Sequence, residues 1–195
     1  MQGHRVSGHT LGLVCCSAGG LEEIRIKLIE PMITDGWRVA VTATPTAARW
    51  LREAGETSRI EAVTGYPVRD TPRLPNEDSP HPEVDCYAVV PASANTVAKL
   101  ALGIADNQAL TTVNEAIGAK HPPVVVFPRI NAAHAAHPAW DDHIAALTKA
   151  GVHLIYGDDV WPLHQPRSAP GRKLPWHAIR QAIEAAGSSA EARGH

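Results

Sequence analysis

The chain lacks several features, and each absence narrows its function. Its 195 residues include only three cysteines, two of them adjacent at Cys15 and Cys16, which is too few for a disulfide framework. No apolar run approaches the ~18–20 residues of a membrane-spanning helix, and no apolar signal-peptide core directly follows Met1. The formal net charge of −2 leaves no basic excess for nucleic acid or an anionic membrane. We expect a cytoplasmic protein with neither kind of partner.

Apolar runs with the length of buried strands alternate with segments of helical spacing. The runs are Leu11–Cys15, Arg38–Thr42, Tyr87–Val90, Val124–Phe127 and Val152–Tyr156. The helical patterns cover residues 21–34, 46–54, 95–105, 139–150 and 177–187, and a further short strand is expected near Ile60–Val63. This alternation predicts an α/β fold, a Rossmann-like (flavodoxin-like) parallel sheet with helices on both faces. A single domain is expected over residues 1–187, followed by a disordered tail at 188–195.

Two proline-containing stretches interrupt this alternation, at residues 64–82 and 157–176. They are expected to be long loops, which in compact domains are usually functional or disordered.

A polar cluster follows the third predicted strand. Its polar residues are Ser93, Asn95 and Thr96, and Ala94 lies between them as a further candidate binding residue. They stand where the carboxyl end of a strand meets a helix N-terminus, and open α/β sheets bind ligands at such places. A single Ser or Asn there is equally well explained as a helix N-cap. Three polar residues together, with Asp106-Asn107 one helix later, favour a ligand site.

The same segment resembles a known family signature. The matching pieces are Pro91-Ala-Ser-Ala-Asn95-Thr96, Gly103-Ile-Ala-Asp106-Asn107 and Leu110-Thr111-Thr112. They resemble the homo-oligomeric flavin-containing cysteine decarboxylases, which include phosphopantothenoylcysteine decarboxylase and the lantibiotic peptide decarboxylases. The resemblance implies FMN as cofactor, bound between the subunits of a trimer or a multiple of trimers such as a dodecamer. It also implies that Asp106 and Asn107 lie near the flavin and the oligomer contact, and the alternative is that both simply terminate a helix.

Two further turns match positions that contact the flavin phosphate in this family. Ser17, Gly19 and Gly20 follow the first strand, where glycines let the backbone approach a phosphate and a helix N-terminus supplies N–H donors. Their order differs from the family's Gly-Ser, and a plain glycine-rich turn is the alternative. Thr44 and Thr46 follow the second strand, where helix capping and phosphate binding are compatible interpretations.

The segment after the fourth predicted strand resembles the family's substrate-binding motif Pro-x-Met-Asn-x-x-Met. Pro128 and Asn131 are retained, whereas Ile130 and His134 replace the two methionines. An Asn amide offers a donor and an acceptor, so Asn131 is expected to hold the carboxylate end of the substrate. The two replacements predict a substrate other than a pantothenoylcysteine.

The resemblance also implies a catalytic histidine in the loop before the signature strand. His81 lies ten residues before Pro91, whereas an ungapped reading of the loop reaches Glu77. Either the loop is shortened and His81 is the base, or the base is absent. The pair His134 and His137 has no cysteine or carboxylate partner at convincing metal-ligand spacing, so no metal site is predicted.

These features predict an FMN-dependent oxidative decarboxylase acting on a cysteine carboxylate. The expected substrate is the C-terminal cysteine of a peptide, or a small thiol carboxylate, and the expected product is an enethiol. No cysteine follows Cys86, whereas the pantothenoylcysteine enzymes reduce their enethiol with a loop cysteine, so coenzyme A biosynthesis is disfavoured. The alternative is an FMN-binding regulatory or partner protein without decarboxylase activity. A flavin prenyltransferase shares the fold but uses other residues around the flavin.

Overall fold

The fold is built on one sheet of five strands. In the computed structural model, which describes residues 8–191, these are β1 (Thr10–Cys15), β2 (Arg38–Ala43), β3 (Cys86–Ala92), β4 (Val124–Pro128) and β5 (His153–Leu154). Their order is β2-β1-β3-β4-β5 and every pair is parallel. The predicted α/β class with a Rossmann-like parallel sheet is confirmed. Residues 1–7, from which we expected no signal peptide, lie outside the described residues.

Helical segments follow the strands and cover the sheet. They are a 3₁₀ turn (Leu21–Glu23), a π-helical segment (Arg25–Ile29), α1 (Glu30–Thr34), α2 (Pro45–Glu53), α3 (Glu56–Thr64), α4 (Ala94–Ala101), α5 (Gln108–Ala119), α6 (Ala132–Ala135), α7 (Trp140–Lys149) and α8 (Trp176–Glu191). Within residues 8–191, no helix is both long enough and apolar enough to cross a membrane.

Strand alternation divides the apolar side chains between the two faces of the sheet. On β1, Leu11 and Leu13 pack in one buried cluster and Val14 packs in the other, because successive side chains of a strand point to opposite faces. The first cluster also contains apolar residues of α2, α3 and α8, and the second contains those of α4, α5 and α7. A strand covered on both faces reads as a continuous apolar run, which is why the strands could be predicted from sequence.

The short strand expected near Ile60–Val63 is wrong, because these residues lie inside α3. Gly55 and Gly65 border that helix, both with positive φ (68° and 74°), a backbone conformation that commonly ends helices. The Arg25 guanidinium donates a 2.8 Å hydrogen bond to the Glu56 carboxylate and anchors the start of the helix. These tertiary contacts override the strand preference of the β-branched residues.

The helix expected over residues 21–34 is present but irregular. Pro31, at the start of α1, has no N–H to donate. The turn before it is π-helical, and the Glu30 N–H donates to the Arg25 carbonyl five residues earlier. The chain therefore remains helical across Pro31 with a wider turn.

The closing helix extends beyond its predicted end at residue 187. Residues 188–191 of the expected tail belong to α8, and residues 192–195 lie outside the described residues. Gly187 belongs to the same helix, where a Cβ would collide with the Trp37 ring. The absence of a side chain at Gly187 therefore lets the end of α8 pack closely against Trp37 of the core.

Gly12, at the centre of β1, provides a test of the packing. A Cβ on residue 12 would collide with the Tyr87 ring, which lies across it. We expect Gly12→Ala to lower the free energy of unfolding by about 1–3 kcal/mol, the usual cost of overpacking. In a Tyr87→Ala background the same substitution should cost much less, as urea denaturation of the four proteins would measure. An equal cost in both backgrounds would contradict the packing described.

Candidate functional site

The carboxyl ends of β1 and β3 meet at one point of the sheet edge. The Cys16 N–H donates to the Pro91 carbonyl (3.2 Å), and the Cys16 thiol donates to Thr96 Oγ1 (3.2 Å). From β1 the chain proceeds to β2 on one side and later to β3 on the other. This is the topological switch point, where open α/β sheets form a ligand crevice. The predicted polar cluster therefore lies where a fold of this kind forms its ligand-binding crevice.

Within this cluster the side chains have different roles. Ser93 is the N-cap of α4, and its Oγ accepts a hydrogen bond from the Thr96 N–H (3.2 Å). Thr96 is buried, whereas Asn95 is exposed on the first turn of α4. The N-cap interpretation is therefore correct for Ser93. Ala94 is the first residue of α4, so Ala94 and the exposed Asn95 amide belong to the first turn of the helix.

The turn after β1 brings the predicted Ser17, Gly19 and Gly20 to the same edge, but with an unexpected partner. The Gly20 N–H donates to the Glu22 carboxylate (2.9 Å), so a carboxylate already occupies this position. A Cβ on Gly20, whose φ is 102°, would also collide with Leu174. Glycine is thus required at residue 20 by backbone conformation and packing, whether or not a phosphate binds.

The turn after β2 offers a less occupied anion site. The Thr44 N–H donates to the Cys15 carbonyl (2.9 Å), which holds this turn beside the end of β1. Thr44 is the N-cap of α2, yet its side chain makes no capping hydrogen bond. The first-turn N–H groups of a helix have no partner within the helix, and Thr46 lies exposed on that turn. The Thr44 hydroxyl and these N–H groups can therefore receive a phosphate.

Asp106 and Asn107 lie on the connection between α4 and α5. The Lys99 ammonium hydrogen-bonds the Asp106 carboxylate and holds its pKa below the usual range. Asn107 caps α5 by accepting a hydrogen bond from the Leu110 N–H (3.1 Å). Among residues 8–191, no hydrogen bond joins either residue to the turn at 17–20. Their predicted proximity to a cofactor remains a prediction.

Asn131 lines a cavity at the carboxyl end of β4. The cavity has a volume of about 400 Å³ and lies between the turn after β1, the start of α6 and the segment 164–174. Asn131 Oδ1 accepts a hydrogen bond from the His134 N–H (3.0 Å), which makes it the N-cap of α6. The Nδ2 amide hydrogens remain available as donors to a bound carboxylate.

Sequence reasoning did not select Arg129, which lines the same cavity. Its guanidinium carbon lies 5.3 Å from the centre of the Trp161 ring, and that of Arg172 lies 3.3 Å from it. The segment expected to be a loop at 157–176 thus folds over the cavity, with Trp161 and Leu174 buried. Arg129 stands at the variable position of the Pro128–Asn131 motif, and a charged residue at that position is the sequence signal that could have identified it.

His81 is half-buried on the long connection before β3. Its Nε2 lies 2.8 Å from the Pro67 carbonyl, and because a carbonyl only accepts, Nε2 carries the proton and Nδ1 is the basic nitrogen. Burial, with a smaller contribution from the Arg69 charge, lowers the His81 pKa, while the bond to Pro67 opposes this. The ring is therefore neutral at neutral pH, as a general base must be.

The other proposed base, Glu77, is used within its own turn. Its carboxylate accepts a hydrogen bond from the Leu74 N–H (2.8 Å) on an exposed stretch of the connection. This contact shapes the turn, so Glu77 is the weaker choice on geometry.

Within one chain, His81 and Asn131 are not brought together. Pro67, which binds the His81 ring, is two residues from Arg69, whose backbone pairs with the outer edge of β2 through Val41 and Ala43. Asn131 follows β4, and β2 and β4 are separated by three inter-strand spacings, about 14 Å. The two predicted catalytic residues therefore belong to different parts of the monomer surface.

The three cysteines are free and buried. Burial raises the pKa of the Cys86 thiol to about 12 and raises those of Cys15 and Cys16 as well. Buried, protonated thiols are poor nucleophiles, so these cysteines have structural roles. Across the described part of the chain, no group of three or more His, Cys, Asp or Glu side chains is placed to hold a metal ion.

Comparison with known proteins places these features in context. The family model described as Flavoprotein matches residues 4–186. The coenzyme A biosynthesis bifunctional protein CoaBC of Bacillus subtilis (strain 168) is 30% identical over 145 residues, 73% of this chain and 35% of that protein. A cysteine/cysteine sulfinic acid decarboxylase of an unknown prokaryotic organism is 38% identical over 71 residues, 36% of this chain and 19% of that protein. The chain thus spans about a third or less of the length of these curated relatives.

Among solved structures, the crystal structure of the FMN-dependent cysteine decarboxylase SpaF is similar over nearly the whole chain. The TM-score is 0.69 at 21% identity, and the match covers 96% of this chain and 99% of that one. At this identity the similarity establishes the shared fold.

The electrostatic environment of His81 can be tested directly. We expect its ring to titrate below the ordinary histidine pKa of about 6.5, and Arg69→Gln to raise that pKa because a nearby positive charge disfavours the imidazolium. Two-dimensional NMR of the ring protons against pH would measure both effects. Arg73→Gln, on the same connection, is the matched control and should leave the titration unchanged. A His81 pKa that does not respond to loss of Arg69 would refute this account.

Proposed function

This chain belongs to the Flavoprotein family, and from that premise we propose that it is an FMN-dependent oxidative decarboxylase of a cysteine carboxylate. The substrate class is a peptide with a C-terminal cysteine, and the product is an enethiol. One arrangement carries the proposal: the Asn131 amide and a cavity of about 400 Å³ lie at the same sheet edge as the switch-point cluster. The curated relatives extend well beyond the length of this chain, so their names do not by themselves assign its activity.

The residues at the sheet edge fit FMN. Thr44 and the first turn of α2 supply hydroxyl and N–H donors without a capping partner, which suits a phosphate. Ser17 and Gly19 follow Cys15, whose carbonyl accepts the Thr44 N–H, and the exposed Asn95 amide at the start of α4 suits the polar edge of the flavin ring. Bound flavin would accept two electrons from the Cβ–S unit of the substrate cysteine.

The protein's own groups would orient the substrate. Asn131 Nδ2 donates hydrogen bonds to the carboxylate that will be lost, and the amide carries no charge. Strong stabilisation of the carboxylate charge would slow loss of carbon dioxide. A neutral donor avoids this because it fixes the position of the carboxylate and stabilises its charge only weakly. His81 Nδ1 is unprotonated and accepts the proton of the substrate thiol. Once the Cβ–S unit is oxidised, the adjacent thiocarbonyl is an electron sink for decarboxylation.

Because His81 is held beside the outer edge of β2 while Asn131 follows β4, and these strands are three inter-strand spacings apart, about 14 Å, a shared site requires two copies. A homo-oligomer, a trimer or a multiple of trimers, brings His81 of one copy to Asn131 of the next in a repeating head-to-tail contact. Leu102 and Ile104, on the connection that carries Asp106 and Asn107, are 65% and 41% exposed in the monomer. They are apolar surface of the kind that subunit contacts cover.

We assign the protein to the cytoplasm, since three free thiols suit a reducing compartment. The second candidate function is an FMN-binding partner protein without decarboxylase activity. It is favoured by one observation, the separation of His81 from Asn131, and it applies if no oligomer unites them.

Cofactor binding is the first test. We expect the purified protein to be yellow and to release FMN, identified by mass spectrometry. Thr44→Val should weaken FMN binding about tenfold or more, the effect of losing one hydrogen bond to a charged group, yet should leave riboflavin binding unchanged. Thr148→Val, an exposed helical threonine, is the matched control. A colourless protein that ignores added FMN would refute the proposal.

Complementation tests the shared site. His81→Asn and Asn131→Asp should each lower turnover of a cysteine-terminated peptide by about 10²-fold or more while retaining flavin absorbance. Asp at residue 131 keeps the cap of α6 but repels the substrate carboxylate. When the two variants are co-expressed with different tags, the mixed oligomers should recover roughly a quarter of wild-type activity. With equal random mixing, a site that takes residue 81 from one copy and residue 131 from the next has both residues intact in about one case in four.

If the mixed oligomers stay inactive, the shared site is refuted: either both residues act within one chain, or His81 has no part in the mechanism. A stable, flavin-loaded monomer in light scattering would contradict the oligomer. Full activity of His81→Asn would reject it as the base.

A further inference from the structure

The cavity beside Asn131 contains more positive charge than its neighbours neutralise. Arg129, Arg167 and Arg172 all line it. Among residues 8–191, no ion pair joins any of these arginines to a carboxylate. Of the two acidic residues that line the cavity, Glu22 is engaged by the Gly20 N–H, and Glu23 has no hydrogen bond to an arginine. The unbalanced charge lies where a ligand has access.

Arg129 and Arg172 share one aromatic platform. Their guanidinium carbons lie 5.3 Å and 3.3 Å from the centre of the Trp161 ring. Trp161 is buried, with the Phe127 ring edge-on at 5.8 Å. Two like charges at one ring repel each other, and both burial and the Arg129 charge lower the pKa of Arg172. Such a pair is stabilised when an anion binds to both.

The backbone on both sides of the pair is held in place before any ligand arrives. The Arg129 backbone N–H donates to the Ala92 carbonyl at the end of β3 (2.7 Å), and the Trp161 backbone N–H donates to the Gly157 carbonyl (2.8 Å). The Arg172 guanidinium donates to the Pro162 carbonyl. Arg129 Nε is buried and has no hydrogen-bond partner. Preorganised donors bind with a smaller entropic cost.

The carboxylate that leaves as carbon dioxide is a poor ligand for this pair. A carboxylate gripped by two guanidinium groups is stabilised in its charged ground state, and this stabilisation is lost as carbon dioxide forms. Asn131, a neutral donor on the same cavity wall, suits that carboxylate instead. The arginines are therefore free for an oxyanion that survives the reaction.

We propose that Arg129 and Arg172, stacked on Trp161, bind a second oxyanion of the substrate, the side-chain carboxylate of an acidic residue preceding the C-terminal cysteine. The substrate class is then an acidic peptide. This inference rests on the proposed decarboxylase function for its substrate, but the anion site can be tested without turnover. The same oxyanion chemistry could be supplied by the flavin phosphate, and the experiment separates the two sources.

The first measurement uses inorganic phosphate as the probe and calorimetry at low ionic strength on the flavin-loaded protein. We expect phosphate to bind at one site, and Arg172→Gln or Arg129→Gln to weaken it tenfold or more, since each removes a charge-assisted hydrogen-bonding group. Arg129→Lys keeps the charge and tests whether loss of binding follows from misfolding. Lys149→Gln, an exposed cation at the end of α7, is the matched control. Phosphate that fails to bind, or binds equally to all variants, overturns the site.

The second measurement compares cysteine-terminated peptides with Glu or Gln at each of the three preceding positions. We expect the wild type to prefer Glu at one position by tenfold or more in kcat/KM, and Arg172→Gln to abolish that preference. If Arg172→Gln instead lowers the affinity for FMN but not for riboflavin, the arginines bind the cofactor phosphate and the substrate proposal is overturned. If no peptide is turned over, the decarboxylase function fails. The acidic site is then tested by peptide binding alone. It is supported if the wild type binds the Glu peptide more tightly than the Gln peptide and Arg172→Gln does not, and it is overturned if the wild type binds both equally.

Discussion

The parallel pairing of β1 with β2 on one side and β3 on the other is the constraint on which the candidate site depends. It aligns the carboxyl ends of three strands, so that the turns at residues 17–20, 44–46 and 93–96 meet at one edge. Two backbone hydrogen bonds seal this alignment, from Thr44 to the Cys15 carbonyl and from Cys16 to the Pro91 carbonyl. Because β1 is buried on both faces, the candidate site begins directly at the packed core.

Several of the predicted site residues are helix caps. Ser93, Asn107 and Asn131 each accept a hydrogen bond from a backbone N–H with the side-chain oxygen. An Asn cap consumes one acceptor and leaves its amide hydrogens available, whereas a Ser cap leaves less. Thr44 is a cap position whose side chain makes no capping bond. A polar residue at the start of a helix therefore caps it in some cases and not in others, and its position in the sequence does not decide which.

Much of the fold could be predicted from the sequence, because buried parallel strands leave continuous apolar runs such as Tyr87–Val90. The strand expected near Ile60–Val63 is wrong because Ile60, the single deeply buried residue of α3, gives little helical periodicity, and the anchor of α3 to Arg25 is a distant contact. The Arg129–Trp161–Arg172 cluster joins residues 32 and 43 positions apart, so no local pattern reports it. The separation of His81 from Asn131 follows from strand order, which chain position alone does not give. The roles of the site residues stay predictions.

The contact between Leu174 and Gly20 has a kinetic consequence. Leu174 occupies the space that any side chain on residue 20 would need, so the segment covering the cavity is fastened at its end to the turn after β1. The stretch before it, at residues 164–168, is exposed, and between them Arg172 rests on Trp161. The segment is therefore attached at both ends, by Leu174 against Gly20 and by the His164 carbonyl, which accepts a hydrogen bond from the Ala132 N–H (2.8 Å). Release of a large product past this segment would require at least one of the two attachments to open, and its rate would be sensitive to whatever anion occupies the arginines.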